Sequence, residues 1–284
     1  MDKESSVRIY GVLGYPAKHS LSPLMHNAAF SALKINAEYK IFEKNPDELE
    51  KFIRSLFKER IVGLNITIPY KERVIPFLNK VSPGAKLIGA VNTIKADQNK
   101  LEGFNTDGEG LLRHLDEDLG FNPKDKTVAI IGAGGAAKAV SLYLAKAKAR
   151  AINIYDIDKA KALALVNHLK QNFKDTESAL ADSIRGLKIE GADLLINATP
   201  IGMKDTDPCV VDGDFLHKDL LVYDLIYNPG ETKLLKVAKQ KGARVSNGLG
   251  MLLYQGAASF ELWTNKPAPI RIMRQALNKG VKRL

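Results

Sequence analysis

Hydrophobic and polar positions fall in blocks whose period switches between two and about 3.6, the periods of strand and helix. Residues 7–14, VRIYGVLG, form an apolar run closed by glycine, as a strand would. The stretch SPLMHNAAFSALK starts with Ser-Pro and spaces Leu24, Ala28 and Leu33 on one helical face. AEYKIFE alternates like a strand. NPDELEKFIRSLFKE reads as one helix, with Asn45 as its cap and Pro46 in its first turn. IVGLNITIP is a further apolar strand, and GAVNTIKADQNKLEGFNTD reads as a hairpin turning at Asp97–Lys100. GEGLLRHLDEDLG is a connecting helix.

Beyond residue 122 the alternation becomes regular. KTVAIIGAGG, AINIYDID, ADLLINATP, LLVYDLIYNP and ARVSNGLG are short apolar strands separated by helical stretches. That order predicts a parallel sheet covered on both faces. The chain ends in two helices divided by NKPAP. The fold class expected is therefore two α/β domains.

Two segments carry chemistry. IIGAGGAA places Gly132, Gly134 and Ala137 in G-x-G-x-x-A spacing, after a strand and at the opening of a helix. This is the context of a dinucleotide site. Gly132 would permit the turn, Gly134 would admit the pyrophosphate, and the first helical residues, Gly135 and Ala136, would offer free N–H groups to phosphate. A glycine-rich turn that binds nothing is the bland alternative. Asp156 ends the second strand about 20 residues on, where a carboxylate accepts from the ribose 2′-hydroxyl and repels a 2′-phosphate. Asp158 could serve instead, or either residue could simply cap the next helix. NAD is favoured over NADP.

The second segment is GLNITIPYK. Asn65 and Thr67 share one face of a strand, and Lys71 follows it. Ser20 and Ser22 precede a helix start, which suits a carboxylate, although Ser22 alone would more commonly be a cap. Asn92 in AVNT could be a turn residue, Lys71 a solvated strand end and Asp107 in NTDG part of a turn. Read together, the repetition suggests one polar cleft. In it a lysine gives a proton to an oxygen gaining charge and an aspartate holds the ammonium.

Composition narrows the classes. The 284 residues carry 42 Lys and Arg against 32 Asp and Glu, a net charge of +10. The basic residues are dispersed, so solubility and steering of anionic ligands are expected rather than nucleic-acid binding. No apolar run is long enough to cross a bilayer, and the start of the chain lacks the layout of a signal peptide. With one cysteine, Cys209, there is no internal disulfide. A cytoplasmic protein is expected. No metal site is expected, and a monomer or a homodimer fits equally well.

The stretches GYPAKHSLSPLMHN, GLNITIPYKE, GAVNT, GFNTDGEG, IIGAGGAAKA, INATPIGM, YDLIYNP and NGLGMLLYQGAASFELW, in that order, resemble the shikimate dehydrogenase family. The resemblance implies reversible reduction of 3-dehydroshikimate to shikimate by a nicotinamide cofactor. It implies a substrate domain formed by residues 1–107 and 250–284, a Rossmann domain of residues 108–249, and C-terminal helices returning to the first domain. By the same resemblance Ser20, Ser22 and Tyr227 bind the substrate carboxylate. Asn65, Thr67, Asn92, Asp107 and Gln255 line the ring, and Lys71 and Asp107 form the catalytic pair. Thr199, Gly248 and Met251 fall on the cofactor side. One departure stands out: NADP-using members commonly carry NRT where this chain has YDI. In that it resembles NAD-linked quinate/shikimate dehydrogenases, so quinate is an alternative substrate. A non-catalytic nucleotide-binding regulator on the same fold is a further alternative, against which Lys71 and Asp107 argue.

Overall fold

The computed structural model describes residues 7–281. Part of the most basic run of the chain, residues 278–284, thus lies outside the described residues. The chain divides into two units, residues 1–110 with 252–284, and residues 111–251.

The first unit begins with β1 (Arg8–Gly14), α1 (Ser22–Ala32) and β2 (Ala37–Glu43). The expected single helix after Asn45 is instead a short 3-10 turn, Pro46–Glu48, followed by α2 (Leu49–Ser55). Asn45 does cap it, in a reciprocal box with Glu48. The helix stops at Ser55, whose hydroxyl bonds back to the Phe52 carbonyl and to Glu59. β3 (Ile61–Ile66) follows, then β4 (Lys80–Val81) and α3 (Pro83–Ile88), two elements that periodicity did not reveal. α3 is only six residues long, capped by Ser82 and closed by Gly89 at φ 72°. β5 (Thr93–Asp97) and β6 (Lys100–Phe104) form the expected hairpin. Gln98 and Asn99 both have positive φ at its tip, the backbone a two-residue turn needs to match strand twist.

These strands form a mixed sheet in the order β2-β1-β3-β5-β6-β4. Leu13, Phe52, Ile53, Leu64, Tyr70, Val91 and Ile94 fill one of its cores. α4 (Asp107–Glu117) leaves this unit, and α8 (Leu249–Thr264) re-enters it, followed by α9 (Ile270–Val281), which packs on α1. α8 is seated on β3 where Gly63 leaves room for Trp263, whose indole N–H donates to the Ile94 carbonyl at 2.9 Å.

The second unit holds β7 (Thr127–Ile131), α5 (Gly135–Lys146), β8 (Ala151–Tyr155), α6 (Lys159–Asn172), β9 (Glu177–Leu180), β10 (Leu194–Asn197), β11 (Leu221–Asp224), α7 (Lys233–Gln240) and β12 (Arg244–Ser246). All six strands are parallel, in the order β12-β11-β10-β7-β8-β9. This is the doubly wound arrangement, whose strand order reverses between β7 and β10. β9 leaves no strand pattern in the sequence, because only Ser178 of its four residues is buried.

Candidate active site

In the first unit, strand register builds a buried polar cluster. Asn65 near the end of β3 lies directly opposite Thr93 at the start of β5. The Asn65 amide nitrogen donates to the Asn92 carbonyl at 3.2 Å, to Thr93 Oγ1 at 3.2 Å and to Ser259 Oγ at 3.0 Å. Ser259, on α8, in turn meets the Thr93 and Thr106 hydroxyls at 2.8 and 3.3 Å. Thr93, Thr106 and Ser259 were not singled out from the sequence. A buried hydroxyl has no local signature in a sequence, and these three, on β5, the loop before α4 and α8, meet only through pairing and packing.

Asn92 organises the acid. Its Oδ1 accepts the Thr106 N–H at 2.8 Å, which leaves Nδ2 to donate to Asp107 Oδ1 at 2.8 Å. Asp107 opens α4, where the unpaired amides of a first turn favour negative charge. Its second oxygen lies 2.6 Å from Lys71 Nζ. The two side chains are 18% and 6% exposed, so the pair is largely screened from water. Lys71 is held beside Asn92 because its carbonyl accepts the Val91 N–H at 2.7 Å. Gln255, nearly two turns into α8, presents Oε1 to Asn92 Nδ2 at 3.4 Å.

The remaining residues of this unit lie at the margin of the cluster. Ser22, buried, begins α1 and donates its amide to Ser20 Oγ at 3.3 Å. The Leu21 side chain cannot cap, so α1 starts with the Ser22-Pro23 pair and no side-chain cap. Ser22 is therefore not used as a helix cap. Thr67 is half-buried, with its amide on the Leu13 carbonyl; its methyl takes the space a side chain at Gly14 would need.

The second unit holds the glycine loop. Gly132 has φ 109°, a conformation side chains resist, and a Cβ there would stand 3.0 Å from the Ala198 carbonyl. Gly134 precedes the first turn of α5, and nothing lies within 4 Å of where its side chain would be. The amides of Gly135 and Ala136 follow at the helix start, and Ala137 is buried against the sheet. Asp156 stands just past β8. Its carboxylate accepts the Ala133 N–H at 2.7 Å and the Asp158 N–H at 2.8 Å, so it is tied to the glycine loop itself. Asp158 does not share this place: its carboxylate caps α6 at the Lys161 N–H and pairs with the Lys161 ammonium. This loop, helix terminus and carboxylate fit the pyrophosphate and ribose of a dinucleotide.

Thr199 and Tyr227 sit on loops joined underneath by a buried carboxyl. Asp224 accepts from Asn197 Nδ2 at 3.0 Å, the Thr232 hydroxyl at 2.6 Å and the Ile226 N–H at 3.1 Å. Burial pushes its pKa above the usual carboxylate range, against the pull of these donors. Asn197 Oδ1 in turn accepts the Thr199 hydroxyl and amide. Gly248 and Met251 lie at the start of α8. A side chain at Gly248 would strike the Leu225 carbonyl, and one at Gly250 would enter the His114 ring. Among the described residues no group of three or more His, Cys, Asp and Glu could hold a metal ion. No helix among them is long and apolar enough to cross a membrane.

Comparison with known proteins agrees with this architecture. The model of the shikimate dehydrogenase substrate binding domain matches residues 12–94, and that of the shikimate 5′-dehydrogenase C-terminal domain matches residues 248–277. A shikimate dehydrogenase (NADP(+)) of Methanopyrus kandleri is 45% identical over 280 residues, 96% of each chain. A shikimate dehydrogenase solved in complex with NADP+ is 40% identical, with a TM-score of 0.90 over 97% of this chain and 96% of that one. Shikimate 5-dehydrogenase from Listeria monocytogenes, solved with shikimate and NAD, is 34% identical, with a TM-score of 0.88 over 96% of this chain and 97% of that one. The fold and the two residue groups define an NAD(P)-dependent oxidoreductase built from two α/β domains. The chain belongs to the shikimate dehydrogenase family.

Proposed function

We propose that the protein catalyses the reversible reduction of 3-dehydroshikimate to shikimate, with Lys71 and Asp107 as its catalytic pair. The observation that carries this reading is the short, shielded contact between the Lys71 ammonium and Asp107, braced on the other carboxylate oxygen by Asn92. A bound nicotinamide dinucleotide supplies the hydride in one direction and takes it in the other. Lys71 Nζ gives a proton to the ketone oxygen as it becomes alkoxide-like, and accepts the hydroxyl proton in reverse. Asp107 aims the ammonium and offsets its charge. Ser20 and Ser22 receive the substrate carboxylate, Thr67 and Asn92 hold ring hydroxyls, Gln255 adds a contact and Asn65 lines the pocket. General-acid help of this kind contributes about 10²–10⁴-fold.

Cofactor choice rests on Asp156. The Methanopyrus relative is named for NADP(+) and the Listeria enzyme was solved with NAD, so relatives of either kind are similar to this chain. A fixed carboxylate at the end of β8 favours the ribose diol of NAD and repels the 2′-phosphate of NADP.

The test is a steady-state assay of shikimate and quinate, each with NAD and NADP, on wild type and on Lys71→Ala. Shikimate is expected to be the better substrate. Lys71→Ala is expected to lose at least about a hundredfold in kcat while still binding shikimate. Unchanged turnover in the purified variant refutes the role of Lys71, and absence of shikimate turnover in wild type refutes the function.

A further inference from the structure

We propose that Tyr39, gripped by His26 and Asn27 of α1, is a positioning residue that sets the amide of Asn65 for substrate binding. The inference rests on the proposed shikimate-binding role of the first unit. It concerns the part of the SLSPLMHN stretch that the serines leave unexplained.

The orientation of Asn65 follows from its partners. The Asn92 carbonyl can only accept, so the Asn65 atom facing it is the nitrogen. The oxygen therefore faces Tyr39, whose hydroxyl lies 2.7 Å away and must be the donor. Tyr39 is 2% exposed, and burial holds its phenol well above its ordinary pKa, so it keeps the proton it donates. The Ser22 hydroxyl, pulling that pKa the other way, is the neighbouring polar group on the Tyr39 oxygen.

Two consecutive residues of α1 fix the tyrosine. The Asn27 side chain takes both backbone groups of Tyr39: Oδ1 accepts its N–H at 2.8 Å and Nδ2 donates to its carbonyl at 3.0 Å. His26 lies flat on the phenol ring, centroids 4.4 Å apart and planes 3° from parallel. Neither His26 nitrogen has a hydrogen-bond partner, so the imidazole serves as an aromatic plate. The helix that begins with Ser22 is thus keyed through Tyr39 to Asn65 on β3. One rigid path sets the distance between the serines and the amide.

Tyr39→Phe removes the hydroxyl and keeps the ring stack and the Asn27 clamp. It leaves the buried Asn65 oxygen without its donor, which should raise the KM for shikimate about tenfold. The kcat should stay within about threefold and the KM for the dinucleotide within about twofold, a split that general loss of structure would not produce. Asn27→Ala should give the same split, and the double variant should be no worse than Tyr39→Phe alone, because both act through one hydroxyl. A shikimate KM within about twofold of wild type in folded Tyr39→Phe, or additive effects in the double variant, overturns the proposal. Should Tyr39→Phe not fold, 3-fluorotyrosine at position 39 keeps both ring and hydroxyl. Its fluorine resonance should move on saturation with shikimate, and a resonance that does not move overturns the proposal. Turnover of shikimate by wild type, measured first, tests the underlying function separately.

Discussion

Asn92 shows how much one side chain can carry. Its oxygen is committed to the Thr106 amide and its nitrogen to Asp107, so the two ends cannot be exchanged. Asn92→Asp would put a second carboxylate oxygen where the nitrogen now stands, 2.8 Å from Asp107. Two carboxylates that close cannot both be ionised, so one must hold a proton. Asp107 would then compete with the introduced carboxylate for the Lys71 ammonium. The variant is expected to lose at least about a hundredfold in kcat, the lower end of general-acid help. A pH–rate profile should show a new ionisation absent from wild type, and an unchanged profile would contradict this account. The chemistry-bearing types at Lys71 and Asp107 were legible because a lysine and an aspartate each followed an asparagine-containing apolar stretch. Their 2.6 Å contact was not, since it spans 36 residues of chain and depends on how β3, β5 and α4 meet.

At the scale of elements, α1 links local sequence to stability. Its Ser-Pro start and its helical spacing were readable directly, because both are short-range properties. The burial of His26 was not, because it depends on β2 and α8 closing over the same face, where Tyr39, Phe260 and Trp263 surround the ring. Desolvation lowers its pKa from 6.5 to about 3. The unfolded chain therefore takes up a proton at a pH where the folded one does not. Stability from this residue is complete above pH 6.5 and falls as pH drops towards about 3. At pH 5 the loss should reach about 2 kcal/mol. His26→Phe, which keeps a ring against Tyr39, should flatten this dependence. Denaturant unfolding at pH 7 and pH 5 measures it, and an equal slope in both proteins would show that His26 does not contribute. Where the elements depart from the periodicity, the causes are equally physical. The helix after Asn45 ends where Ser55 turns its hydroxyl onto its own backbone. α3 is under two turns long, and its Ser82 cap and closing Gly89 resemble a loop.

For the whole molecule, the deciding feature is which dinucleotide the doubly wound unit accepts. The glycine loop, α5 and β8 converge on Asp156, whose carboxylate also braces the Ala133 amide. Asp156→Asn keeps an acceptor for that amide but removes the charge. Wild type should favour NAD over NADP in kcat/KM, and Asp156→Asn should shift that ratio towards NADP by at least about tenfold, roughly 1.4 kcal/mol. Ligand binding should report the same preference without turnover. NAD at about a hundred times its Kd should stabilise the protein by about 2.7 kcal/mol, and NADP at the same concentration by less. A larger thermal shift with NADP would overturn the assignment.

The sequence alone determined the two α/β patterns, the glycine loop after β7, and which lysine and aspartates follow the apolar strands. These rest on periods, caps and glycine spacing, which act over a few residues and leave local signatures. Only the tertiary structure decided that Asp156 braces the loop while Asp158 caps a helix. It alone brought Ser259 to Asn65 across 194 residues, and turned His26 into a plate beneath Tyr39. Such contacts arise when strands pair and helices bury their faces, and hydrogen bonds strengthen once the groups that complete them are enclosed together away from water.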